Sequence, residues 1–251
     1  MNYSSRFWLY APLCLFLILA AGVAVHWWRA ASAFDKKLDA MKGHDAVPGI
    51  VIDWQAKTLS GFPFRLDVVF GRLSVKGAGA HGPFAWTSDQ FALHALTYGR
   101  AKTVFEAAGR QHVAWTGADG APHDVDFLPG SLHASSVMGS KGLAGFDLDI
   151  ADAVGKSLAA GRFQFHMRHD PDGHSLDLML RADEVRGLGA PRKLMQAYAV
   201  LSNAPAMAPL LRGEARWPDA ARDWRLRGGT VRLSQVAAPD LAPDALLSSL
   251  Y

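Results

Sequence analysis

From Phe7 to Val25 the chain carries no charged side chain, and Phe, Trp, Leu, Ile, Ala and Val dominate the run. No other feature constrains the fold as strongly. A helix rises ~1.5 Å per residue, so nineteen residues come close to the ~30 Å hydrocarbon thickness of a bilayer. Trp8 and Tyr10 stand at one end and Trp27 and Trp28 at the other. Amphipathic rings at both ends match the aromatic belts of a membrane span. Pro12 falls in the first turns, where a missing N–H costs least. The competing reading is a cleaved signal peptide, with Ala31-Ser32-Ala33 as the cleavage site. Against it, the run exceeds the usual ~7–15-residue core of such peptides, and bulky, partly charged His26-Trp27-Trp28-Arg29 precedes the site. The sequence therefore favours an uncleaved anchor. Cys14, the single cysteine, lies inside the run, which excludes an internal disulfide and a Cys–His enzyme.

Charge alone leaves orientation open. Arg6 precedes the span, while Arg29, Lys36, Lys37 and Lys42 follow it, interleaved with Asp35 and Asp39. Naive counting puts the C-terminal part in the cytoplasm, but a large domain after one span is exported largely regardless of such charges. Phe34, Leu38 and Met41 recur at helical spacing, so the anchor helix is expected to continue as an amphipathic stalk. The expected organisation is a short cytoplasmic tail (1–6), a transmembrane signal-anchor (7–28), a helical stalk (29–43) and a periplasmic domain (44–251). This locates the protein in the inner membrane, held by residues 7–28.

After Gly43 the periodicity changes from helix to strand. Ile50 to Trp54 reads as a strand after Pro48-Gly49. Phe62, Phe64, Leu66, Val68 and Phe70 alternate, which places all five on one face of a strand, with Arg65 and Asp67 opposite. Beyond Gly71 the alternation resumes out of phase at Leu73 and Val75, the signature of a bulge or bend. Further strand signals lie at Phe84–Trp86 with Phe91 and Leu93, His112–Trp115, Val125–Leu128, Leu132–Val137, Gly145–Ile150 and Thr230–Leu233. Phe163 to Met167, the turn Asp170-Pro171-Asp172-Gly173, and Leu176 to Leu180 form the strongest hairpin signal. Pro191 with Leu194, Tyr198 and Leu201 predicts a helix ending near Asn203, and Asp152 to Ala160 predicts a shorter one. Ala245 to Tyr251 reads as a final helical turn or tail. The expected fold is mainly β (α+β): an N-terminal transmembrane helix, then an antiparallel β-rich domain with one or two short helices.

Leu59-Ser60-Gly61-Phe62-Pro63-Phe64-Arg65-Leu66, with the span before it and the alternating strand after it, resembles a bacterial family of envelope proteins, domain of unknown function 2125. The resemblance extends more weakly to about Val236. A looser likeness, confined to anchor and motif, is to AsmA-like inner-membrane-anchored periplasmic proteins. These resemblances imply an exported, anchored β domain concerned with envelope maintenance, and carry over no catalytic residue.

The residues themselves point to no enzyme chemistry. His166 and His169 fall on opposite faces of a strand, and there is no H-E-x-x-H, G-x-S-x-G or phosphate-binding glycine loop. Asp147 with Asp149, and Asp124 with Asp126, read as solvated strand faces. No cofactor, no metal and no nucleic-acid partner is expected; the excess of three positive charges is small and scattered. Two binding features remain. The face Phe62, Phe64, Leu66, Val68 and Phe70 lines either a lipid or partner groove or a closed core. Arg212, Arg216, Arg225 and Arg227, within the densest basic region, either contact anionic lipid headgroups or form a solvated surface. The function expected is non-enzymatic envelope maintenance through a lipid or another envelope protein; the alternatives are a closed-core scaffold without ligand and an unrecognised hydrolase.

Overall fold

A computed structural model describes residues 4–79, 81–98, 101–170, 172–187 and 191–237. One helix, α1 (Ser4–Met41), runs unbroken from the apolar segment through the predicted stalk. The strands follow in chain order: β1 (Asp45–Val47), β2 (Ile50–Asp53), β3 (Ala56–Ser60), β4 (Arg65–Ala78), β5 (Pro83–Leu96), β6 (Lys102–Thr116) and β7 (Pro122–Leu128). They continue as β8 (Ser131–Gly139), β9 (Gly142–Gly155), β10 (Ala159–His169), β11 (Leu176–Val185) and β12 (Arg192–Leu201). A 3₁₀ turn (Ala204–Met207), α2 (Ala208–Leu211) and α3 (Trp217–Leu226) then lead into β13 (Val231–Ala237). The expected mainly antiparallel β fold is thus observed. The predicted tail at Ala245–Tyr251 lies outside the described residues.

All thirteen strands among the described residues belong to one antiparallel sheet, ordered β1-β2-β4-β5-β6-β7-β9-β10-β11-β12-β13, with β3 beside β4 and β8 between β6 and β9. Neighbouring strands in the sheet are mostly neighbours in sequence, as expected for hairpin-linked antiparallel strands. The β10–β11 hairpin has the register its alternation demands, with Phe165 opposite Leu180 and Met167 opposite Leu178. Its turn is held by Asp170, whose carboxylate accepts from the His174 and Ser175 amides at 2.7 and 3.2 Å.

Two predicted helices are strands instead. Arg192–Leu201 is β12, paired with β11 and β13. Its register sets Met195, Ala197, Ala199 and Leu201 on one face; the helical reading followed Leu194 and Tyr198, which occupy the other. Pairing on both sides overrides helical propensity here. Asp152–Ala160 is the end of β9, a turn and the start of β10. The short helices lie further on, in 204–226.

The strands bend at two transverse rows. In β4 the buried positions run Leu66, Val68, Phe70 and then Leu73, with Arg72 between them at φ 50°. The predicted phase change after Gly71 is therefore real and falls on Arg72. β5 skips at Asp89 and β6 at Gly109 (φ 75°), so three strands bend together. At Gly109 an added Cβ would stand 2.8 Å from the Asp89 Cβ. Buried Gln111 and Ser88 occupy the apolar side of this bend. The Gln111 amide donates to the Ala108 and Gly109 carbonyls at 3.3 and 3.2 Å, and the Ser88 hydroxyl donates to the Gln90 carbonyl at 2.8 Å. The second row runs through Asp152 (φ 50°), Gly161 and Glu184 (φ 54°). Bulges of this kind bend strands and increase twist.

Candidate functional site: the apolar face of the sheet

The pairing registers place the larger apolar residues of consecutive strands on one face. Val68 meets Leu93, and Leu93 meets Phe105. Phe105 meets Ala134, Ala134 meets Leu148, and Leu148 meets Phe165. Phe165 meets Leu180 and Leu180 meets Ala197. Side chains directly opposite on adjacent strands share a face, so one apolar row crosses the sheet. The reverse face is charged. There Asp147 lies 2.7 Å from His166 Nδ1 and accepts from Arg168, also at 2.7 Å, while Arg162 pairs with Asp149. Asp67 lies 2.7 Å from His94 Nδ1 and accepts from Arg65 at 2.9 Å. Burial pushes the Asp67 and Asp147 carboxyls up, but the hydrogen bonds from their basic neighbours outweigh it and hold both below the ordinary carboxylate range. The hydrogen bond from Arg162 does the same for Asp149. Asp147 and Asp149 are thus ion-paired groups on the polar face.

Protein covers the apolar face at its two ends. At the first end α1 lies along β3 and β4: Leu38 and Phe34 pack with Trp54, Val68, Phe70 and Leu73. The Lys57 ammonium, on the same face, reaches Asp35 at 2.7 Å and also pairs with Asp39, which clamps the helix to the sheet. At the second end Met207 and Trp224 pack with Leu201, Leu210, Leu211 and Val231, and the Trp224 indole donates to the Ser202 carbonyl at 2.7 Å. The helical unit that carries them also meets the opposite edge of the sheet. A Cβ on Gly213 would stand 3.1 Å from Val47 Cγ1, and one on Gly49 would stand 3.0 Å from Arg216 Nε. First and last strands are thus drawn together through the α2–α3 segment, so the sheet curls with its apolar face inward.

Between the covered ends the apolar strip is not closed. Leu132 is buried, but Phe105, Phe146, Leu148, Ile150, Phe163, Phe165, Met167, Leu178 and Leu180 are all only partly buried. The buried aromatic side chains, Trp54, Phe70 and Trp224, belong to the two end clusters, whereas Leu66, Leu132, Leu176 and Val185 are buried outside them. A sealed core leaves few such residues half-exposed.

The candidate face Phe62–Phe70 does not survive as one surface. Leu66, Val68 and Phe70 are buried beneath or beside α1, at 7, 0 and 4% exposure, whereas Phe62 and Phe64 are 59 and 56% exposed. β4 begins only at Arg65. Gly61 (φ 101°) and Pro63 form a tight turn before it, closed by the Arg65 amide donating to the Gly61 carbonyl at 2.9 Å. Phe62 instead meets Trp27 of α1 edge-on at 5.5 Å, and the Trp27 indole donates to the Arg65 carbonyl at 2.8 Å. The groove residues are therefore those of β6 and β8–β11, visible in the sequence as separate alternating runs but not as one surface.

Arg212, Arg216, Arg225 and Arg227 all sit on the α2–α3 segment. Arg212 is engaged by Glu214 at 2.7 Å, and Arg216 rests on the β1–β2 turn. β2 pairs with the end of β4 remote from Phe64, so this region is separated from the Phe62–Phe64 turn by the length of β4. Among the described residues one trio brings metal-ligand atoms within 4.8 Å of one another: His112, Asp124 and Asp126, on the polar face. His112 Nδ1 is 3.0 Å from Asp126, so a surface hydrogen bond accounts for the approach of these two residues.

An apolar helix long enough to span a membrane, joined to a curled antiparallel sheet with a partly open apolar face, defines the class: a membrane-anchored β protein. Residues 27–244 match the family of uncharacterised proteins conserved in bacteria, domain of unknown function 2125, and the chain belongs to it. No curated protein and no solved structure matches the chain. The looser likeness to AsmA-like proteins therefore finds no support, and no enzyme family is assigned.

Proposed function

We propose that this is an inner-membrane-anchored periplasmic protein that maintains the envelope by taking acyl chains of membrane lipids into its curled apolar sheet. One observation carries the reading: the partly exposed strip Phe105, Phe146 to Ile150, Phe163 to Met167 and Leu178 to Leu180 lies between two packed ends. A contiguous apolar strip left partly exposed is the kind of surface that binds a ligand, and a concave, mostly apolar site suits an acyl chain. The span supplies the lipid source. In this reading the arginines of the α2–α3 segment stand at the far end of the groove and do not touch headgroups of the membrane that holds the span.

The test is native mass spectrometry of full-length protein extracted from its own membrane in mild detergent. A lipid of defined mass should be retained by the wild type and by Gln164→Arg on the polar face, and lost in Phe165→Arg. An apo mass for the wild type, or equal lipid retention in both variants, refutes the reading. A scaffold with a closed core predicts the apo mass, and the test then turns to protein partners.

A further inference from the structure

The turn at Phe62–Phe64 is exposed and aromatic, yet it is not loose. Trp27 fixes it from two directions, by its ring on Phe62 and its indole N–H on the Arg65 carbonyl. The Thr97 amide and hydroxyl both donate to the Phe64 carbonyl at 3.0 Å, which ties in the turn after β5. That second turn presents Tyr98 at 72% exposure, with Leu96 at 40%. A water-facing rim gains nothing from four large apolar or aromatic side chains held rigidly outward.

Their height along α1 decides where they lie. A cleft of about 560 Å³ separates the rim from the helix, with Leu19, Val23 and His26 on one wall and Pro63, Phe64 and Tyr98 on the other. Leu19 precedes the end of the charge-free run at Val25 by six residues, which is ~9 Å along a helix. A run of this length must lie almost wholly in hydrocarbon to span it. Whatever shares a cleft with Leu19 and Val23 is therefore at the depth of the outer acyl region, within the ~5–10 Å that interfacial elements penetrate.

We propose that the Phe62–Phe64 and Tyr98 turns are immersed in the bilayer beside the span, and that the cleft between them and α1 holds one acyl chain of a bilayer phospholipid. The cleft is continuous with the anchor helix, and its walls offer a chain apolar contacts on both sides. The Thr97–Phe64 hydrogen bond continues the β4–β5 ladder one pair beyond Arg65–Leu96, so the cleft lies at the membrane end of these two strands. Immersion itself does not depend on lipid uptake by the groove.

The experiment uses the full chain with Cys14→Ser as background, carrying Phe64→Cys, Tyr98→Cys or Leu226→Cys. Each is spin-labelled and reconstituted in phosphatidylethanolamine–phosphatidylglycerol vesicles. Leu226 is 79% exposed on α3, whose segment meets the β1–β2 turn beside the end of β4 remote from Phe64. Labels at 64 and 98 should collide preferentially with oxygen, and the label at 226 with a water-soluble nickel chelate. Aqueous behaviour at both 64 and 98 overturns the proposal. For the cleft, vesicles doped with a phospholipid bearing a photoreactive acyl chain should give adducts on the Pro63–Phe64 or Tyr98 peptides. Adducts confined to other peptides overturn the acyl-chain occupant. Loss of the retained lipid in mass spectrometry with both labels still immersed would sink the groove reading alone.

Discussion

Phe70 and Phe165 lie on the same apolar face, and truncating each measures how closed that face is at its position. Phe70 is 4% exposed and packed by Trp54 at 5.0 Å, by Phe91 at 6.3 Å and by the α1 cluster. Phe165 is half-buried, with Phe146 at 6.2 Å and Leu148 and Leu180 beside it in the sheet. Phe70→Ala removes a fully packed ring and leaves a cavity, at a cost of about 3–5 kcal/mol. Phe165→Ala forfeits only part of the ~1.5–3 kcal/mol transfer energy and leaves no sealed void, so about 1–2 kcal/mol is expected in lipid-free protein. At ~2–4 °C per kcal/mol for a domain of this size, Tm should fall by roughly 6–20 °C for Phe70→Ala and roughly 2–8 °C for Phe165→Ala. Thermal unfolding of delipidated protein in detergent, followed by circular dichroism, reads both. Equal losses would mean that Phe165 belongs to a closed core, and the groove would be wrong.

Further outcomes follow from the same packing. Gly61→Ala should destabilise by ~1–3 kcal/mol, because Gly61 has φ 101° and its new Cβ would stand 2.7 Å from the Arg65 carbonyl oxygen; denaturant titration measures it. Trp224→Phe keeps most of the ring volume and loses the indole bond to Ser202, so ~1–2 kcal/mol is expected by the same titration, and an unchanged midpoint would deny that bond any role. Lys57→Met removes the clamp on Asp35 and Asp39 and should speed amide exchange in the stalk while leaving β9–β11 unaffected. The folded carboxyls of Asp67, Asp147 and Asp149 sit below their ordinary range. Their contribution is present above the unfolded value near ~3.9 and disappears as pH falls through the lower folded values. Stability should therefore decline with acid below about pH 4, and Asp147→Asn should flatten that decline.

The parts legible in the sequence were those governed by local pattern. A charge-free run must form a helix in lipid, because every backbone polar group there needs an internal partner. Alternation specified most strands, and the Asp-Gly turn specified the β10–β11 hairpin. β12 was misread because Leu194, Tyr198 and Leu201 happen to fit a helical stripe, while Ala197 and Ala199 carry little signal for the face they occupy. The Phe62–Phe70 run also obeyed alternation, yet Gly61 and Pro63 close a turn before the strand begins, so its first two aromatics project beside α1.

The anchor, the strand content and the polarity of each strand's two sides were thus determined by the chain itself, since propensity and side-chain alternation act within a few residues. Register and curvature were decided only in three dimensions. Whether Phe105, Leu148, Phe165 and Leu180 form one surface depends on pairings between strands far apart in the chain. Whether that surface is sealed depends on where α1 and the α2–α3 segment come to rest. Both fasten its ends and leave the middle half-exposed, because apolar area is stabilised by whatever covers it, and local sequence does not specify the cover.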